Sequence, residues 1–210
     1  MKLQRIATWT LLAALIPALT GCFGAVGVGV GAGALVAADR RPAETYLTDE
    51  AIEVRISNRI KEQFGKSANV VVVSYSRSVV LIGQVPDVAT KSAAEKIASG
   101  VPNVKAISNE LQIAGITSLT SGSNDAFITT KVKARFLDAN KFAANHVKVI
   151  TEAGTVYLLG IVTKREADDA AEIARTTGGV QKVVRVFEII SDEQAKKLAN
   201  TPPADAGEKK

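Results

Sequence analysis

The chain has 210 residues, 47% apolar and 22% charged, which is ordinary for one or two globular domains. Its formal net charge of +5 includes Lys2 and Arg5, which lie in a segment expected to be removed. The remaining 24 basic and 21 acidic side chains are too evenly matched to imply nucleic acid. A single cysteine excludes an intramolecular disulfide, so packing must hold the fold together.

Residues 1–21 read as a secretory signal: Lys2 and Arg5 precede an apolar run, residues 6–19, that is too short to span a bilayer. The segment ends in Leu19-Thr20-Gly21-Cys22. That ending resembles the lipobox of bacterial lipoproteins, which implies that Cys22 becomes a lipidated mature N-terminus. The residue after it is Phe23 rather than aspartate. Without the usual inner-membrane retention signal, the resemblance points to the outer membrane. Acyl chains contribute about 0.8 kcal/mol per buried methylene, and two or three of them form a stable anchor.

Residues 22–46 are expected to form a glycine-rich tether. Gly29-Val30-Gly31-Ala32-Gly33-Ala34 loosely matches a dinucleotide loop, but such a loop needs a strand before it and a helix after it, whereas the residues before this one read as a cleavable signal. The apolar run 23–38 is too short and too rich in glycine for a spanning helix.

Beyond the tether the chain contains one pattern twice, in residues 48–113 and 123–190. Asp49, Ile52, Ile56, Arg59 and Ile60 correspond to Asp125, Ile128, Val132, Arg135 and Phe136 at constant spacing. Leu81, Gly83 and Val85 correspond in the same way to Leu158, Gly160 and Val162. Each copy opens with a helical pattern, with Thr48-Asp49 or Asn124-Asp125 as N-cap candidates. Two β-branched runs follow, separated by Ser76-Arg77 or Ala153-Gly154, and read as a hairpin. An alanine-faced helix comes next, around 88–99 and 164–177, with Gly100 or Gly178-Gly179 as its stop. A last strand covers 105–113 or 182–190. The fold class is therefore α+β, with two αββαβ units, each a three-stranded mixed sheet packed against two helices.

Two such units behind a lipobox resemble the dual BON-domain lipoproteins, over nearly all of residues 48–190. Gly83 and Gly160 stand where that family carries its signature glycine. The stretches 123–132 and 162–167 resemble an outer-membrane, lipid-binding branch associated with division and envelope stress. The resemblance implies a periplasm-facing protein that binds anionic phospholipid, supports envelope integrity and gathers at the division site. It also leaves room for outer-membrane assembly or division proteins as partners. The expected organisation is domain 1 over 47–114, a linker over 115–123, domain 2 over 124–191 and a disordered tail over 192–210. Domains of about 65 residues are marginal alone, so the two copies are expected to dock.

In the second copy's first helix, Ile128, Val132 and Phe136 share one face at about 100° per residue. Phe127, Thr130, Lys131, Ala134 and Leu137 fall opposite, with Lys133 at the border. An aromatic and a leucine among lysines suit a bilayer interface, and these six residues are the candidate lipid-binding site. The equivalent helix of the first copy offers Ala51, Val54 and Arg55 beside Glu50 and Glu53, with no aromatic. Residues 47–61 carry no net charge, whereas 123–137 carry +2. The competing reading is that Phe127 folds back onto the linker or the first domain.

Gly83 and Gly160 are expected to be structural, at a bulge or where another backbone comes close. His146, the only histidine, is expected at the sheet edge, with no spacing for a metal site. Glu166, Asp168, Asp169 and Glu172 are expected to be a solvated helix face. No catalytic residue, cofactor, metal or small-molecule substrate is expected. The alternative function is a structural adaptor for envelope proteins that contacts lipid only through its anchor.

Overall fold

The computed structural model describes residues 40–114 and 122–199, apart from the side chains of residues 122 and 123. Cys22, the glycine-rich leader, residues 115–121 of the linker and residues 200–210 lie outside the described residues. The first repeat runs α1 (Ala43–Phe64), β1 (Asn69–Tyr75), β2 (Ser78–Val85), α2 (Val88–Ser99), β3 (Ala106–Asn109) and β4 (Gln112–Ile113). The second runs α3 (Gly122–Ala139), β5 (Lys148–Glu152), β6 (Thr155–Thr163), α4 (Lys164–Arg175) and β7 (Lys182–Ile190). A further helix, α5 (Asp192–Ala199), follows and buries Ala195. The first eight residues of the expected disordered tail are therefore helical.

In each repeat the hairpin is antiparallel and the last strand returns parallel to the middle one. That return is the crossover an intervening helix makes possible. In the first repeat the third strand is broken at Glu110-Leu111: Leu111 turns into the core while the Glu110 amide still donates to Leu81, at 2.9 Å. Hence two short strands occupy residues where one was expected. β7 runs unbroken over nine residues.

Each helix pair covers one face of its sheet. Ile52, Ile56 and Ile60 of α1 meet Ala94 and Ala98 of α2 over Val79, Leu81 and Val85. In the second repeat Ile128, Val132 and Phe136 meet Ala167, Ala170 and Ala174 over Val156, Leu158 and Val162. The opposite faces of the two sheets pack on each other through Val73, Tyr75, Val80 and Ile82 against Tyr157, Leu159 and Ile161. With both faces covered, every residue of β6 is buried. Burying one such aliphatic or aromatic side chain stabilises by about 1.5–3 kcal/mol, so this interface supplies what a small domain lacks.

The expected N-caps are in fact turn clamps. α1 begins after Pro42, well before Thr48-Asp49, and α3 begins at Gly122, so Asn124-Asp125 lie within its first turn. Both hairpin turns place their central pair at positive φ: Ser76 (53°) and Arg77 (65°), Ala153 (48°) and Gly154 (73°). Such turns match the twist of the strands but strain non-glycine residues. Asp49 accepts from the Ser76 and Arg77 amides at 2.8 and 2.7 Å; Asp125 accepts from those of Ala153 and Gly154 at 2.8 and 2.9 Å. A buried carboxylate thus locks each turn to the helix above it. Gly100 caps α2 as expected, with an ordinary φ of −81°, whereas α4 is capped by Thr176 rather than by Gly178-Gly179.

Candidate functional site

The outer face of α3 carries a stripe of Phe127, Thr130, Ala134 and Leu137 at spacings of three and four residues, all exposed. Phe127 is 60% exposed and Leu137 69%, on a helix whose other side is anchored by three residues of zero exposure. Phe127 does not fold back into a core. The Thr130 hydroxyl donates to the Ala126 carbonyl at 2.9 Å, so its polar atom is satisfied within the helix and its methyl extends the stripe.

The helix's cations fall into three environments. Arg135 is turned toward α4, donating to the Ile173 carbonyl at 3.0 Å and Thr177 Oγ1 at 2.8 Å. Lys131 is half-buried, with Nζ 4.7 Å from the Phe127 ring centroid and hydrogen-bonded to the Gly178 carbonyl. Lys133 is exposed on the other flank. The stripe is therefore bordered by positive charge on both sides, with Asp138 the exposed acid at its far end.

The matching face of α1 has apolar content but no aromatic, and its charge is mixed: Arg55 and Lys61 are exposed there as cations. Leu47 is 67% exposed and Val54 59%, but Glu44 and Glu50 are exposed beside them. Glu53 accepts from the Ser74 amide at 2.8 Å and from Lys148 of the second repeat at 3.1 Å. The first helix is thus committed to the domain interface.

Gly83 lies at φ +121°, and a Cβ there would stand 2.1 Å from the Asn69 carbonyl oxygen. A Cβ on Gly160 would stand 2.3 Å from the His146 carbonyl oxygen. In both repeats the backbone entering the first strand crosses directly over this glycine.

A second polar cluster was not anticipated. Arg40 donates to both carboxylate oxygens of Glu166, at 2.6 and 3.0 Å, and to the Ile161 carbonyl at 2.9 Å. Glu166 also completes the capping box of α4 with Thr163. Burial pushes the Glu166 pKa up, but the Arg40 hydrogen bond and the Thr163 amide outweigh it and hold the carboxyl below its usual value. His146, in the turn that leads into β5, brings Nδ1 within 3.6 Å of Glu166. Glu166 is therefore buried and not part of a solvated face, while Asp168, Asp169 and Glu172 make surface ion pairs with Lys164, Lys141 and Arg175. Next to Arg40, Arg41 bonds Asp49 at 3.0 Å and stacks on Tyr75 at 4.0 Å. The chain is thus fixed from Arg40 onward, six residues before the expected end of the tether. The paired basic residues before Pro42 were the available signal.

Among the described residues, no group of three or more His, Cys, Asp or Glu could hold a metal, and no helix is long and apolar enough to cross a membrane. The BON domain profile matches residues 48–115 and 124–191. The chain is 39% identical to "Outer membrane lipoprotein DolP" of Haemophilus influenzae, across 82% of this chain and 90% of that protein. It is 36% identical to a "21 kDa hemolysin" of Actinobacillus pleuropneumoniae, across 72% and 79%. It is 30% identical to "Osmotically-inducible protein Y" of Escherichia coli, across 72% and 78%.

Proposed function

The chain belongs to the BON-domain family, as a dual BON-domain lipoprotein of the DolP type, and from that premise we propose that its second domain binds anionic phospholipid through α3. The protein is held by an acylated Cys22 on the periplasmic face of the outer membrane, the location that the name of its Haemophilus relative supports. The observation that carries the reading is the stripe from Phe127 to Leu137, exposed and bordered by Lys131 and Lys133. Laid on a bilayer, Phe127 and Leu137 enter the headgroup boundary while the ammonium groups meet lipid phosphates.

Full burial of each large side chain contributes about 2 kcal/mol, and each cation near an anionic surface about 1 kcal/mol. Before ordering costs this is about 6 kcal/mol, an affinity in the tens of micromolar at best. So weak a contact is useful on a chain already anchored, because the anchor supplies the local concentration. Enrichment at the division site, where the envelope is remodelled, is the cellular expectation. The experiment is flotation of the full chain carrying Cys22→Ser with phosphatidylglycerol or phosphatidylcholine vesicles. Binding only to the anionic vesicles, weakened by salt and abolished by Phe127→Glu, is expected. Absence of flotation, or flotation unchanged by Phe127→Glu, would favour a protein adaptor touching lipid only through its anchor.

A further inference from the structure

β7 is the longest unpaired strand edge among the described residues: nine residues bonded to β6 on one side, with no backbone bond reaching the other. Its counterpart in the first repeat is broken by the inward turn at Leu111, a device that blunts an edge. β7 has no break, no proline and no glycine, and a groove lined by Asp168, Glu172, Val183 and Arg185 runs between it and α4. Its guard against pairing consists of three charges, Lys182, Arg185 and Glu188.

Those charges are arranged symmetrically about Arg185. We propose that β7 pairs antiparallel with β7 of a second copy, across a two-fold axis at Arg185. On the sheet-interface side, Lys182 then lies opposite Glu188 and Val184 opposite Val186, each pair twice. On the helix side, Val183 lies opposite Phe187, both half-buried against the helix-side core in one copy and covered further by the pairing. Only Arg185 meets its own counterpart, and Asp168, 3.2 Å from it in each copy, offsets that repulsion.

The register is distinctive. A slip of two residues, the smallest that keeps the helices of both copies on one face, sets Lys182 against Ile190 or Val186 and Arg185 against Phe187 or Val183. Charge matching disappears in either slip, although valine still meets valine at the new axis. A second copy of this chain is therefore the occupant that the edge specifies, and the product is a continuous six-stranded sheet. This association does not depend on lipid binding.

The test uses the full chain carrying Cys22→Ser, which removes the only cysteine, with Arg185→Cys introduced. Directly opposed residues in an antiparallel pair have Cα atoms about 4.5–5.5 Å apart, within disulfide range. Mild oxidation is expected to yield a covalent dimer, at least about fivefold more than with Val183→Cys, whose own copy lies far along the strand. In sedimentation equilibrium, Lys182→Glu is expected to weaken association about tenfold, and Lys182→Glu with Glu188→Lys to restore it, at matched thermal melting. A strict monomer up to millimolar concentration, equal crosslinking at 183 and 185, or association indifferent to the charge reversal would overturn the proposal. Crosslinking of residue 185 only to an extended segment of another protein would overturn it as well.

Discussion

The outer faces of α1 and α3 stand on the same scaffold, three apolar residues four apart over a sheet, yet they are built for different surroundings. α1 exposes Leu47 and Val54 among glutamates balanced by Arg55 and Lys61, carries no aromatic on that face, and uses Glu53 to reach the second repeat. α3 exposes Phe127 and Leu137 between lysines and sends Arg135 inward to hold α4. Duplication preserved what folds each unit, and divergence fell on the face that folding does not use. One copy braces the domain interface through Glu53, and the other leaves an apolar stripe exposed between lysines.

What the copies share can be broken first. Gly83→Glu or Gly160→Glu should abolish the cooperative thermal transition of its own domain, because neither site has room even for a Cβ. Circular dichroism melting checks this, and unchanged melting of both variants would refute it. Asp125→Ala and Asp49→Ala should each cost about 3 kcal/mol or more in urea unfolding, since two turn amides at positive φ lose a charged acceptor. Asp49→Ala should cost more, as Asp49 also serves Ser74 and Arg41.

The interface between copies should respond to pH at both ends. Burial, with Glu110 and Glu152 adding to it, pushes Tyr157 from 10.0 up to about 12. Its neutral form is favoured in the fold, so this contribution is complete below pH 10 and is lost as pH rises toward 12. Spectrophotometric titration should show Tyr157 ionising late, in step with loss of the folded signal, and Tyr157→Phe should remove that step. Glu166 has the opposite sense. Its folded pKa lies below the ordinary 4.5, so the support it gives is present above that value and is lost as pH falls through the folded one. Arg40→Ala should flatten this acid limb of a stability-versus-pH curve, the smallest of these effects.

Much of this architecture was legible because period and repeat reinforce each other. Ile52, Ile56 and Ile60 announced the buried face of α1, and Ile128, Val132 and Phe136 that of α3. Phe127 and Leu137 were visible as residues left over once that face was assigned. The sheet-on-sheet interface was harder to see. Leu81-Ile82 and Leu158-Leu159 are consecutive apolar pairs that signal a strand covered on both sides, but they do not say by what. Asp49 and Asp125 were misplaced because a cap and a turn clamp ask for the same residue type at the same end of a helix. The burial of Glu166 was hidden because its partner, Arg40, lies 126 residues away in the chain.

The difference between the two helix faces is tested most directly by placing a reporter on each in turn. The only tryptophan, Trp9, precedes Cys22, so with processing at Cys22 as proposed, or with Trp9→Phe, Phe127→Trp or Val54→Trp gives a chain with a single indole. With phosphatidylglycerol vesicles, the indole at position 127 should shift its emission to the blue and become shielded from aqueous quencher, while the one at position 54 stays in water. Equal shifts at both positions, or a shift at position 54 alone, would contradict the assignment of the lipid surface to α3.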